Sequence, residues 1–188
     1  DVDYWDELCQ IMDWTTTHVT STVHICWGAQ AGLYFHHSIQ KRTLPKKLFG
    51  VYDHKVLKPS SPLFRGFDDV FYAPHSRYTA NRMEDILARP ELELLAISRE
   101  AGVFAVKSAD NRRFFITGHP EYDPDTLANE YFRDVNKGLN PDVPAHYFPN
   151  DDPYQKPVVR WRSAAQLFYT NWLNYYVYQT TPYDLNKV

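Results

Sequence analysis

Apolar residues recur at Tyr4, Trp5, Leu8, Ile11 and Met12, a spacing of threes and fours that predicts a helix over residues 3–14. The pattern then changes. The stretch from His18 to Cys26 (His-Val-Thr-Ser-Thr-Val-His-Ile-Cys) is short and dense in β-branched side chains, which predicts a buried strand ending at Cys26. From Gly28 to Phe35 the spacing is helical again, despite two glycines. A helix–strand–helix order predicts a parallel sheet covered on both faces.

Further along, residues 48–57, 69–73 and 92–97 predict strands, and 83–88 a short helix. Val103–Lys107 and Arg113–Thr117 predict a hairpin around Ser108-Ala-Asp-Asn. Asp123 is a candidate cap and Pro124 suits a first helical position, so a helix is expected there, with Leu127, Ala128, Tyr131, Phe132 and Val135 as its apolar stripe. Residues 138–157 are rich in Gly, Pro, Asn and Asp and predict a loop. A last helix is expected from near Pro157, with Trp161, Ala164, Ala165, Phe168, Trp172 and Tyr175 on one face, an aromatic stripe best read as core packing. There is no internal repeat or low-complexity segment.

The chain has 188 residues, enough for one domain with a core, and its 44% hydrophobic and 16% aromatic content argues against disorder. A net charge of −3 without a basic block lacks the electrostatic footprint of a nucleic-acid binder. No apolar run has the length of a membrane span, and no secretory signal opens the chain. Two cysteines, Cys9 and Cys26, and the absence of an N-x-[ST] sequon point to a reducing, cytoplasmic setting, although two cysteines can form one bridge. The chain opens at Asp1 directly in a helical pattern, which reads as a piece of a longer protein, incomplete at its N-terminus.

The chemistry centres on Cys26. It stands where the predicted strand gives way to a helix, the nucleophile-elbow position, in which a sharp turn exposes a side chain above the sheet. The helix start favours a thiolate, the amide of Trp27 is placed to donate to an oxyanion, and Gly28 lets the backbone pass close by. A buried, inert cysteine is the plain alternative. The second element is Thr117-Gly-His-Pro-Glu-Tyr-Asp: His119 follows a predicted strand and Glu121 lies two residues on, a base and its orienting group in one short turn. Taken alone, a single histidine is usually structural. His24, His36 and His37 invite a metal reading, but His36 and His37 point apart on a helix and no acidic or Cys partner stands at ligand spacing, so no metal is expected. Cys9, on the border of a helix face, reads as structural.

An elbow cysteine followed much later by His-Pro-Glu resembles the class I glutamine amidotransferases. Six longer motifs are more specific: Cys26-Trp-Gly-Ala-Gln-Ala, Arg65-Gly-Phe-Asp-Asp, Ala73-Pro-His-Ser-Arg-Tyr, Thr117-Gly-His-Pro-Glu-Tyr-Asp, Phe132-Arg-Asp-Val and Thr170-Asn-Trp-Leu-Asn-Tyr-Tyr-Val-Tyr-Gln. In this order, from about residue 1 to Leu185, they resemble the homoserine O-acyltransferases of methionine biosynthesis. The resemblance implies a flavodoxin-like α/β fold, a mostly parallel sheet with helices on both faces, of which this chain would be the C-terminal catalytic part of a single domain. It implies ping-pong transfer of an acetyl or succinyl group from acyl-CoA to the hydroxyl of L-homoserine, with no other cofactor, in a protein expected to be a homodimer. By position, Cys26 matches the acyl-thioester nucleophile, His119 the general base and Glu121 the third catalytic residue, while Lys47, Ser76 and Arg133 match substrate-binding positions. Each of the last three also has an ordinary reading. Lys47 could be a solvated lysine. Ser76 could be a turn residue, or paired with His75, although adjacent side chains do not readily face each other. Arg133 could form a surface ion pair with Glu130. The implied family differs from a glutamine amidotransferase-like cysteine hydrolase in substrate, and from a non-enzymatic α/β module in keeping an intact triad.

Overall fold

The computed structural model describes residues 2–183; Asp1 and Leu185, the ends of the resemblance, lie outside them. Six strands form one sheet: β1 (Thr22–Ile25), β2 (Lys41–Val56), β3 (Val70–Asn81), β4 (Leu92–Ser98), β5 (Gly102–Ser108) and β6 (Arg113–Ile116), in the order β1-β6-β5-β4-β2-β3. The expectation of a mostly parallel sheet is corrected: only β1 and β6 run parallel, and the other neighbouring pairs are antiparallel. Connection length is the reason. The turns at 99–101 and 109–112 are too short for a crossover, so β4, β5 and β6 must form a meander.

The helices are α1 (Trp5–His18), α2 (Trp27–His37), the short α3 (Met83–Leu87), α4 (Thr126–Asn136) and α5 (Arg162–Trp172), the last continuing as a wider π-turn over Leu173–Tyr178. They cover both faces of the sheet, as expected, and strand alternation shows how. Phe104 and Phe114 point to one face, packing with Phe168 of α5 and Tyr176. Their neighbours Val103 and Phe115 point to the other, with Ala29 and Leu33 of α2 and Ile86 of α3. Phe114 and Phe115 are both fully buried, and each contributes about 1.5–3 kcal/mol through the area removed from water.

Several element boundaries differ from the sequence expectation. α1 runs past residue 14 to His18 through the Thr15-Thr16-Thr17 run, whose hydroxyls bond back to the helix; Thr15 Oγ1 donates to the Met12 carbonyl at 2.7 Å and Thr16 Oγ1 to that of Asp13 at 2.6 Å, and the first strand begins only at Thr22, where its ladder to Arg113 starts. β2 and β3 extend well beyond 48–57 and 69–73, since each supplies the other's hydrogen bonds through polar sequence that alternation does not mark. Asp123 does not cap α4 with its side chain; its carbonyl accepts from the Thr126 amide at 3.2 Å, and the helix starts there. The last helix starts at Arg162 rather than near Pro157. The 138–157 segment is a loop apart from a short turn at Pro149–Asp151, and it is tied to β2: the Val51 amide donates to the Ala145 carbonyl and the Ala145 amide to that of Phe49, both at 2.9 Å. A glycine is required at that seam, because a Cβ on Gly50, at φ +150°, would lie 2.3 Å from the Ala145 oxygen. Among the described residues no helix is long and apolar enough to cross a membrane.

Candidate active site

Cys26 links β1 to α2 with φ 50° and ψ −112°, a conformation rarely adopted by a residue with a side chain and the signature of a tight elbow. Two contacts hold it there. Its amide donates to the Ile116 carbonyl at 2.7 Å, extending the β1–β6 ladder, and its carbonyl accepts from the Gln30 amide at 3.2 Å. Cys26 is buried, at 8% exposure. Trp27 is the first residue of α2, so its amide has no partner inside the helix and is available above the elbow.

His119 lies just beyond β6, in a turn pinned to two other strands. The Thr117 amide donates to the Phe104 carbonyl at 2.9 Å, and the His119 amide donates to that of Pro74 at 2.8 Å. Between them only glycine fits, since a Cβ on Gly118 would meet His75 Nε2 and the Phe104 ring at 2.9 Å. The His119 ring bonds to Glu121 through Nδ1, at 2.6 Å from Oε1, and stacks on Tyr122. Burial works against charge on this ring, but hydrogen bonds to Cys26 and Glu121, reinforced by their negative charge, push its pKa up to about 9. With Nδ1 given to Glu121, Nε2 is the nitrogen left for Cys26. A cationic ring beside a thiol is the pairing from which cysteine nucleophiles are made. Cys26 and His119, 93 residues apart in sequence, are thus brought into one cluster with Glu121.

Lys47, Ser76 and Arg133 converge on a residue that the sequence reading treated only as an ion-pair partner, Glu130. Its Oε1 accepts from Lys47 Nζ at 2.6 Å and from Ser76 Oγ at 2.9 Å, and Arg133 Nη2 lies 3.7 Å away. Asp134 completes the group, 3.9 Å from Lys47 and 2.7 Å from Arg133. Lys47 is not a solvated lysine: it is half-buried, with its ammonium 4.0 Å from the centre of the Phe49 ring. The β2–β3 register shifts between Thr43 and Leu48, and this irregularity turns Lys47 inward. Ser76 is a mid-strand residue of β3 rather than a turn residue. Arg133 does pair at the surface, more closely with Asp134 than with Glu130.

Ser76, Tyr122, Thr126, Asn129, Glu130 and Arg133 line a cavity of about 530 Å³. Tyr122 is its wall toward His119. Burial raises the Tyr122 phenol, and the charges of Glu130, Cys26 and Glu121 raise it further. Tyr122 stands inside a motif quoted for the resemblance and Glu130 within one turn of another; their meeting at this cavity is a product of the fold. Trp5, Trp27, Gln30, Tyr34 and Lys41 help line a second cavity of about 470 Å³. His24, His36 and His37 lie elsewhere, around Phe115, and no group of three or more His, Cys, Asp or Glu among the described residues could hold a metal ion. Cys9 is a free thiol on α1.

Comparison with known proteins adds sequence and fold evidence. The model of the homoserine O-succinyltransferase family matches residues 1–183. A homoserine O-acetyltransferase of Brevibacillus brevis is 60% identical over 187 residues, covering 100% of this chain and 61% of that protein. One from Agathobacter rectalis is 59% identical over 184 residues, covering 98% and 59%. The chain therefore spans about three-fifths of the length of these relatives. Among solved structures, a glutamine amidotransferase from Methylobacillus flagellatus superposes with a TM-score of 0.64 at 12% identity, covering 93% of this chain and 70% of that one. Another from Thermotoga maritima gives 0.60 at 11%, covering 89% and 64%. These last two likenesses concern the fold alone.

Proposed function

The chain belongs to the homoserine O-succinyltransferase family, and on that premise we propose that it is the catalytic, C-terminal part of a homoserine O-acyltransferase domain. In this reading Cys26 carries an acyl group from acyl-CoA to the hydroxyl of L-homoserine. The observation that carries it is the junction at Tyr122: a Cys–His–Glu cluster on one side, and on the other a cavity with a guanidinium and a carboxylate at its rim. Homoserine is a zwitterion with a hydroxyl. Its carboxylate suits Arg133, since a guanidinium can grip a carboxylate through two parallel hydrogen bonds. Its ammonium suits Glu130, and Lys47 and Ser76 hold that carboxylate in place.

The reaction proceeds in two halves. The Cys26 thiolate attacks the thioester carbonyl, whose oxygen takes up negative charge facing the Trp27 amide. When the carbonyl re-forms, the carbon–sulfur bond to CoA breaks, and the departing sulfur takes a proton from the His119 imidazolium. Acylation removes the negative charge that Cys26 presented to His119, so the ring no longer has that reason to stay protonated and becomes a base. Homoserine then gives its hydroxyl proton to His119 Nε2 as its oxygen attacks the acyl group. Cys26 leaves as thiolate, and the charged pair is restored. Glu121 orients the ring throughout. The aromatic-walled cavity that shares Trp27 with the elbow supports entry of the acyl thioester from that side. Acetyl is the group favoured by the names of the relatives given above. The reading places the enzyme in the cytoplasm, working without a further cofactor and as a homodimer, the commonest symmetric assembly.

The test is mass spectrometry of the full-length protein mixed with acetyl-CoA or succinyl-CoA. Without homoserine, the peptide containing Cys26 gains one acyl mass; homoserine removes it and yields O-acyl-homoserine. Cys26→Ala gains no mass, and His119→Asn slows both halves by roughly 10²–10⁴, the worth of a positioned general base. Glu121→Gln costs less, because that residue moves no proton. A label on Ser76, full turnover in Cys26→Ala, or glutaminase activity in place of acyl transfer would overturn the reading.

A further inference from the structure

Arg77 is a buried cation, 6% exposed, with no carboxylate within ion-pair distance among the described residues. Three hydrogen bonds fix its guanidinium. Nε donates to His75 Nδ1 at 3.4 Å, Nη1 to the Thr79 carbonyl at 2.5 Å and Nη2 to the Ala101 carbonyl at 2.6 Å. None of these acceptors is charged, and a buried charge without a counter-charge is costly. The histidines behind it do not compensate. Because His75 accepts at Nδ1, its proton sits on Nε2 and is donated to His54 Nε2, 3.0 Å away. Burial keeps both rings neutral.

The charges of Cys26 and Tyr52, when they ionise, act on Arg77. Burial pushes the Tyr52 phenol up, so it stays neutral at ordinary pH. Glu100, whose charge reaches Tyr52, is exposed and pairs with His146 at 3.3 Å. Cys26 remains, and the structure ties the guanidinium to its elbow. The Thr79 carbonyl that accepts from Arg77 also accepts from the Gln30 side chain at 3.0 Å, the Thr79 hydroxyl donates back to Gln30 at 2.6 Å, and the Gln30 amide holds the Cys26 carbonyl.

We propose that Arg77 is the buried counter-charge of the Cys26 thiolate, a positioning residue that acts through the nucleophile and touches no substrate. The proposal rests on Cys26 being the nucleophile. The charge of Cys26 also acts on His119 and Tyr122; His119 is the partner that exchanges protons, whereas Arg77, always charged, keeps its field through both half-reactions.

The experiment is the pH dependence of iodoacetamide alkylation at Cys26 in the full-length protein, read by peptide mass. A wild-type rate no faster than that of a free thiol would remove the premise, which separates that failure from failure of the Arg77 role. Given a fast wild-type rate, Arg77→Gln and Arg77→Met, whichever retain the wild-type near-ultraviolet circular dichroism, should move the alkylation midpoint up by about one unit, a tenfold slower reaction at pH values below the midpoint. Arg77→Lys keeps the charge and should recover at least half of that shift. An unmoved midpoint in a folded neutral variant would overturn the proposal. So would an equal shift in Arg77→Lys and the neutral variants, which would assign the effect to packing. Lower turnover or melting temperature with an unchanged midpoint would mark a structural residue only, and would count against it in the same way.

Discussion

The rings of His119 and Tyr122 lie face to face, 4.1 Å between centroids and 15° from parallel. Glu121 fixes one edge of the imidazole and Tyr122 one face, leaving Nε2 toward Cys26. An imidazolium on a phenol face gains about 0.5–2 kcal/mol from the ring's negative face. Tyr122→Phe keeps that face and should leave acylation of Cys26 within about threefold of wild type. Tyr122→Leu removes it and should slow acylation by about 3- to 30-fold, with the basic limb of the pH profile moved to lower pH. Pre-steady-state acyl transfer measured from pH 6 to 10 checks both; identical profiles in Phe and Leu variants would show that the stacking is incidental.

Glu130 gathers Lys47, Ser76 and Arg133, and each substitution there has its own signature. Arg133→Lys should raise the KM for homoserine by about 10- to 100-fold while leaving acylation by acyl-CoA nearly unchanged, the loss of one charge-assisted hydrogen bond of about 1.5–3 kcal/mol. Glu130→Gln should impair homoserine use and also stability, because the half-buried Lys47 keeps only Asp134 at 3.9 Å. Steady-state kinetics with each substrate varied separates the two. A normal homoserine KM in Arg133→Lys would return that residue to a surface ion pair with Asp134.

Stability should fall in mild acid. Burial, helped by the Arg113 charge, holds His24 down to about 4 and His36 to about 3, and burial holds His54 at about 3. The unfolded chain takes up protons on these rings near pH 6.5, whereas the folded chain does not until far lower. Their contribution is therefore complete above pH 6.5 and is lost as pH falls from there toward 4 and 3. The slope is at most about 1.4 kcal/mol per pH unit for each ring, in full for the wholly buried His54 and less for His24 and His36, which water reaches. His119 has the opposite sign: raised to about 9, it stabilises below pH 6.5 and loses that contribution as pH rises through 9. Urea midpoints at pH 7, 6 and 5 test the acid side; a constant midpoint would contradict it.

The elements that position Cys26 and His119 were legible because they are short and strongly patterned. A β-branched run followed by a glycine-bearing helical pattern is enough to mark the Cys26 elbow, and Thr117-Gly-His-Pro-Glu marks the second turn. Strand direction was not legible, since β4, β5 and β6 look alike in pattern whether they run up or down, and turn length decides. Nor could the sequence pattern show that Lys47 faces inward. The register shift that aims it belongs to the pairing of β2 with β3, a property of two segments together. Glu130 was visible as a neighbour of Arg133, but its bond to Ser76 spans 54 positions and needs the fold. Arg77 is the extreme case: a charged residue in a polar-looking stretch, buried at 6% exposure where its guanidinium reaches the Thr79 and Ala101 carbonyls, the second 24 positions away.

The parallel seam between β1 and β6 also orders events in time. Thr22 pairs with Arg113, and the Cys26 amide is satisfied only by the Ile116 carbonyl, whereas β4, β5 and β6 meet through adjacent turns. Closing a long loop costs more chain entropy than closing a short one, so the meander can assemble early and β1 must dock onto it. Until it docks, Cys26 is an ordinary thiol on an unformed strand end, far from His119. If Cys26 is the nucleophile proposed above, its activation is expected to come late in folding, once β1 has docked beside β6.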